Sequence, residues 1–118
     1  MDKFLVTLPL TGEYLTTVRL TTGGLCALAG FDVDEAEDYK VCVTESLLIL
    51  KRNGFRSANI QFTVGEALGC VLCGLDDGEE VEESLEDEIS RALLSALLGN
   101  VEFVKNANNR VEKIVFEG

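Results

Sequence analysis

The stretch "VCVTESLLILKRNG", Val41 to Gly54, decides the fold. It extends a helix that Asp32 is placed to cap, with Glu35 three residues on in the capping-box position. Ala36, Tyr39, Val43, Leu47 and Leu50 form one apolar stripe on that helix. Val41, Leu48 and Ile49 lie on the other side, so the helix must be covered on two faces and sit inside the molecule. One carboxylate, Glu45, stands where an apolar residue would be safer, and its purpose needs an explanation.

The neighbouring segments supply the cover. "KFLVTL" alternates Phe4, Val6 and Leu8 on one face, the pattern of a half-buried strand closed by Pro9. With Thr11 as N-cap and Glu13 in the first turn, Tyr14, Val18, Leu25 and Leu28 recur at helical spacing until Gly30 stops the helix in a left-handed conformation. Beyond the central helix, "ANIQFTV" turns Ile60, Phe62 and Val64 inward, and Gly65-Glu66 makes a turn. "ALGCVLCGL" is apolar on both faces, which predicts a central strand. A third helix, capped by Ser84 with Asp87 in the box position, carries Ile89, Leu93, Leu94, Leu97 and Leu98 up to Gly99. Finally "VEFVK" and "VEKIVF" flank "NANNR" as a hairpin. The order β-α-α-β-β-α-β-β predicts an α+β fold. The expected form is a two-layer sandwich, with a mixed, mainly antiparallel sheet of about five strands and three helices on one face.

Composition narrows the chemistry. A chain of 118 residues, 47% hydrophobic with one proline, has the length of a single domain over 1–118. It shows no 18-residue apolar run and no basic leader with a cleavage site, so a cytoplasmic protein without membrane association is expected. The absence of histidine removes Ser-His-Asp and Cys-His nucleophiles and every zinc site that needs imidazole. Cys26, Cys42, Cys70 and Cys73 lie in apolar segments and read as core; in a strand, "CVLC" would point its two thiols to opposite faces. No metal is expected. A net charge of −11, with ten scattered basic residues, argues against nucleic acid. "DDGEEVEESLEDE", Asp76 to Glu88, holds nine carboxylates and no cation, and reads as a solvated acidic loop leading into the third helix.

Three strings carry a resemblance. "GEYLTTVRLTTGG" (Gly12–Gly24), "AEDYKVCVTESLLIL" (Ala36–Leu50) and "ALLSALLGNVEFV" (Ala92–Val104) occur in the order and spacing of the anti-sigma factor serine kinases. These are a branch of the GHKL (histidine-kinase-like) ATPase superfamily. The resemblance implies that Glu45 matches the glutamate proposed as general base, and that an Asn one turn later would bind Mg²⁺. That position here is Ile49, which has no oxygen to offer a hard cation, and Asn53 is a further turn along. Asp76 and Gly78 match the start of the adenine-side Asp-x-Gly-x-Gly motif, whose last glycine is Glu80. The phosphate-side Gly-Leu-Gly-Leu falls over "EISR", with Glu88 and Ser90 in place of both glycines, and Arg91 as the only nearby cation. Arg19 matches a first-helix arginine of the family's partner-binding surface.

From the resemblance, the expected function is a degenerate anti-sigma-factor-like regulatory domain that acts by protein binding, in partner switching, without ATP or Mg²⁺. The partner would be a sigma factor or an anti-anti-sigma protein of the STAS type, and a homodimer is expected. Glu45, Asp76 and Gly78 would then be relics of catalysis and adenine binding. The alternative is an active ATP-dependent anti-sigma factor serine/threonine protein kinase. A third reading is a structural or oligomerisation domain outside any sigma circuit.

Overall fold

In a computed structural model, residues 2–77 and 84–118 of the chain are described. They form five strands and three helices, in the order β1 (Asp2–Pro9), α1 (Gly12–Leu28), α2 (Val33–Arg52), β2 (Phe55–Val64), β3 (Leu68–Asp77), α3 (Leu85–Leu98), β4 (Val101–Lys105) and β5 (Val111–Glu117). The sheet order is β1-β2-β3-β5-β4, and each of its four pairings is antiparallel. This is the α+β sandwich that the order of elements predicts.

The doubly apolar strand takes the centre. In β3, Leu68, Cys70 and Leu72 are buried under the helices, while Gly69, Val71 and Cys73 face the other way and are half-covered. Cys70 and Cys73 therefore point to opposite faces, as strand alternation requires. Ile60 and Phe62 of β2 are fully buried on the helix side, and Ile114 and Phe116 of β5 are buried on the same face across β3 from them. Gly74 is the close-approach point: a Cβ there would run into the ring of Phe55. The β2–β3 turn is one residue longer than expected, with the Gly65 N–H bonded to the Ala67 carbonyl at 3.1 Å. In the last hairpin, the Asn106 side chain accepts from the N–H groups of Asn108 (2.9 Å) and Arg110 (3.1 Å), and Asn109 takes a positive φ of 61°.

Helix α2 is the central helix. Asp32 and Glu35 form the reciprocal capping box, and Lys51 and Arg52 complement the dipole at the other end. It packs on β2, β3 and β5, with α1 and α3 both resting against it. Its Tyr39 anchors the packing: the hydroxyl donates to the Leu68 carbonyl at 2.8 Å, and the ring meets Phe31 and Phe116 edge-on. Gly30, Gly54 and Gly99 follow the three helices with φ of 80°, 96° and 76°, the left-handed stop that glycine adopts without strain.

Two helical stripes differ from expectation. In α1, Tyr14 and Leu28 are exposed, and the inward positions are Val18, Thr22, Leu25 and Cys26. This helix rests mainly on α2 and needs only a narrow stripe. In α3, of the apolar residues expected to pack, Leu94 is buried and Leu98 half-buried, while Ile89, Leu93 and Leu97 point outward. The inward face there includes Asp87 and Ser90, both buried. The reason lies in what α2 presents to it.

Buried acids set an alkaline limit. Burial pushes the Tyr39 phenol far above its usual range and the Cys70 thiol well up. The Cys42 thiol is pushed up to about 12 by burial and by the charges of Asp38 and Glu45. In the unfolded chain these groups ionise near 9.0 for the thiols and 10.0 for the phenol, whereas the folded protein holds their protons. Above pH 9.0 the unfolded state therefore binds fewer protons, and stability falls as pH rises. Melting curves from about pH 8 to about pH 10.5 should show Tm declining steadily. A Tm that stays level over that span contradicts this assignment.

Candidate functional site

Glu45, Ile49, Arg52 and Asn53 recur along α2 at spacings that place them on one helical face, and that face meets α3. The matching positions of α3 are Asp87, Ser90, Arg91 and Leu94. The side chains interlock. The Ser90 hydroxyl donates to Glu45 Oε2 at 2.8 Å and accepts from Arg52 Nη1, also at 2.8 Å. Arg52 also lies 3.8 Å from the Asp87 carboxylate and 3.6 Å from that of Glu86. Arg91, one turn beyond Asp87, pairs with it at 3.8 Å. Asn53 closes the network: its amide donates to the Ile49 carbonyl (2.8 Å) and Asp87 (3.3 Å), and its oxygen accepts from the Val111 N–H of β5 (3.0 Å).

Asp87 is thus held among two guanidiniums and an amide while 6% exposed. Its Oδ1 and the Nε of Arg91 are buried with no hydrogen bond, so the ion pairs act there by charge rather than by a well-aligned contact. The Ser84 hydroxyl accepts from the Asp87 N–H at 3.2 Å and caps α3, as the sequence predicts. Glu86, Asp87 and Glu88 then lie in the first turn, where carboxylates complement the dipole.

Glu45 is half-buried and bonded to Ser90. Ile49 is 0% exposed in the core, and its carbonyl accepts from the backbone and the side chain of Asn53. The oxygens around Ile49 suit Mg²⁺ poorly. The side chain at that position has no oxygen, and the carboxamide of Asn53 is committed to β5 and α3. "EISR" is not a loop; residues 88–91 are helical, and the Glu88 N–H bonds back to the Ser84 carbonyl at 3.4 Å. Asp76 is exposed at the end of β3 with a φ of 57°. Gly78 lies outside the described residues. Arg19 is exposed on α1, its charge reaching Glu37 of α2. The Glu37 carboxyl is held low chiefly by its hydrogen bond and charge contact with Lys40, with Arg19 a smaller contributor.

The structure therefore gathers Glu45 with Arg52, Asn53, Asp87 and Ser90. Arg19 stands apart on α1. Sequence reading missed Asn53 and Asp87 as members of this cluster. The available signal was polar residues at helical spacing on two helices, where the Leu-rich pattern of α3 drew attention to its other side.

The fold and its polar clamp define an α+β sandwich protein whose second and third helices are bridged by charge. No family model matches the chain. It is similar to the serine-protein kinase RsbW of Listeria monocytogenes serotype 4a, at 30% identity over 90 residues, covering 75% of this chain and 46% of that protein. RsbW of Listeria innocua serovar 6a is 33% identical over 55 residues, covering 47% of this chain and 35% of the relative. The chain spans less than half the length of these curated relatives. Among the described residues, no helix is long and apolar enough to cross a membrane.

Proposed function

We propose that this chain is a cytoplasmic, degenerate relative of the anti-sigma factor serine kinases. On this reading it regulates transcription by binding proteins in a partner-switching circuit, without binding magnesium ATP. The observation that carries the reading is the Glu45–Ser90–Arg52 chain of hydrogen bonds. A carboxylate at the general-base position is engaged by a serine at a phosphate-cradle position, and α3 is thereby fastened against α2. The similarity to RsbW over 75% of the chain supports the kinase-like ancestry, and the buried Ile49 supports the loss of a metal ligand. The sigma factor and STAS-type partners, and the homodimer, follow from the resemblance alone.

Titration of the protein against the sigma factors and STAS-type proteins of its source cell, with and without ATP, tests this reading. Nucleotide-independent binding to one of them is expected. Binding that requires ATP would favour the working kinase instead.

Arg19 is the residue proposed to contact the partner. An arginine on a free surface is well suited to an interface hot spot. Because Arg19 is exposed, Arg19→Ala should leave Tm within about 1 °C while weakening binding to a verified partner about tenfold or more. Unchanged affinity removes it from the contact surface.

A further inference from the structure

Helix α3 departs from an ordinary surface helix in carrying apolar residues on its outward face as well as its inward one. Its inward face carries Asp87 and Ser90 beside Leu94, whereas Leu85, Ile89, Leu93 and Leu97 recur every fourth residue on the outside, 71%, 59%, 37% and 38% exposed. Positions four apart lie one above another, so the four side chains form one continuous apolar row. A row of that kind on an exposed helix marks a contact surface. The row ends in a concavity: Leu97 lines a cleft of about 300 Å³ together with Phe31, Tyr39 and the acidic residues Glu35, Asp38 and Glu117. The Glu35 carboxylate is engaged at the Asp32 N–H, and that of Glu117 reaches toward Gly69.

The charge around this face selects its occupant. Glu86 and Glu88 flank the start of the row, and the cleft at its end has three acidic residues and no cation among those that line it. The arginine of α3, Arg91, is turned inward to Asp87. A second copy of a chain with net charge −11 would bring two acidic surfaces together, and an anionic membrane would be repelled in the same way.

We propose that the outward face of α3, with the acidic cleft that Leu97 enters, is a docking site for a cationic amphipathic helix of a partner protein. The 14 residues of α3 match about four turns of such a helix, whose apolar residues pack along Leu85, Ile89, Leu93 and Leu97. The cleft takes a lysine or arginine, with its aliphatic stem against Phe31 and Leu97 and its head toward Asp38. This site is separate from Arg19 on α1 and does not rest on the partner-switching reading.

The test uses a fluorescein-labelled helical peptide of leucine and lysine, about 14 residues long, and a scrambled isomer of equal charge without an apolar face. Anisotropy titration should give micromolar binding of the amphipathic peptide and at least tenfold weaker binding of the isomer. Ile89→Lys and Leu93→Lys should each weaken binding tenfold or more with Tm unchanged, and Asp38→Asn about threefold. Leu20→Lys, the same charge change at an exposed leucine of α1, should leave affinity within twofold. Should Leu93→Lys fail to fold, the more exposed Ile89→Lys carries the comparison. Equal binding of the isomer, or equal loss in Leu20→Lys and Ile89→Lys, would show attraction by charge without a docking face and overturn the proposal. So would sedimentation showing a dimer that Ile89→Lys dissociates.

Discussion

Ile49→Asn is expected to destabilise the protein by about 3–5 kcal/mol and to create no affinity for magnesium ATP. Ile49 is 0% exposed, and shortening a buried aliphatic side chain of this size costs about 2–5 kcal/mol. An asparagine would also bring a carboxamide into the core, at about 1–3 kcal/mol if it finds no partner. The two costs overlap, because a relaxed core softens both. The substitution adds the missing oxygen one turn from Glu45, yet Glu45 remains bonded to Ser90 and the Glu88 N–H remains inside the helix. Urea denaturation and calorimetric titration check the two halves separately. A variant as stable as the wild type, or one that gains micromolar nucleotide affinity, contradicts the assignment of Ile49 to the core.

Asp87→Ala should cost about 2–4 kcal/mol, an unusual penalty for a carboxylate in an acidic first turn. The residue is 6% exposed and faces Arg52, Arg91 and the amide of Asn53. Its removal leaves Arg91 without its ion-pair partner and Arg52 with only the exposed Glu86 carboxylate as a direct counter-charge. The long contacts of 3.8 Å, and the partial exposure of both arginines, keep the loss below that of a fully buried pair. Glu86→Ala provides the contrast. That carboxylate is largely exposed and meets Arg52 at 3.6 Å, so less than about 0.5 kcal/mol should be lost. Equal effects of the two substitutions in urea denaturation would show that the clamp contributes no more than surface charge.

The architecture was legible where a segment had to be covered on both sides. Val41, Leu48 and Ile49 opposite the Tyr39–Leu50 stripe put α2 at the centre, and the doubly apolar "ALGCVLCGL" put β3 in the middle of the sheet. Capping residues marked their helices because Asp32, Glu35 and Ser84 act on backbone groups a few residues away. The orientation of α3 was not legible in this way. Counting leucines favours burial of Ile89, Leu93 and Leu97, and the helix turns instead to satisfy Arg52 and Asn53, residues more than thirty positions distant in sequence. Glu45 illustrates the same limit. Its oddity on an apolar helix was readable, but its bond to Ser90 depends on a helix contact 45 residues away.

The proposed absence of nucleotide binding, on which the proposed function turns, is tested most directly by isothermal calorimetry of the wild-type chain with ATP in the presence and absence of Mg²⁺. The expected result is no saturable heat with nucleotide up to about 1 mM, with or without the metal. A saturable isotherm with a micromolar Kd that strengthens when Mg²⁺ is added would contradict it, and would return Glu45 to the role of a kinase base.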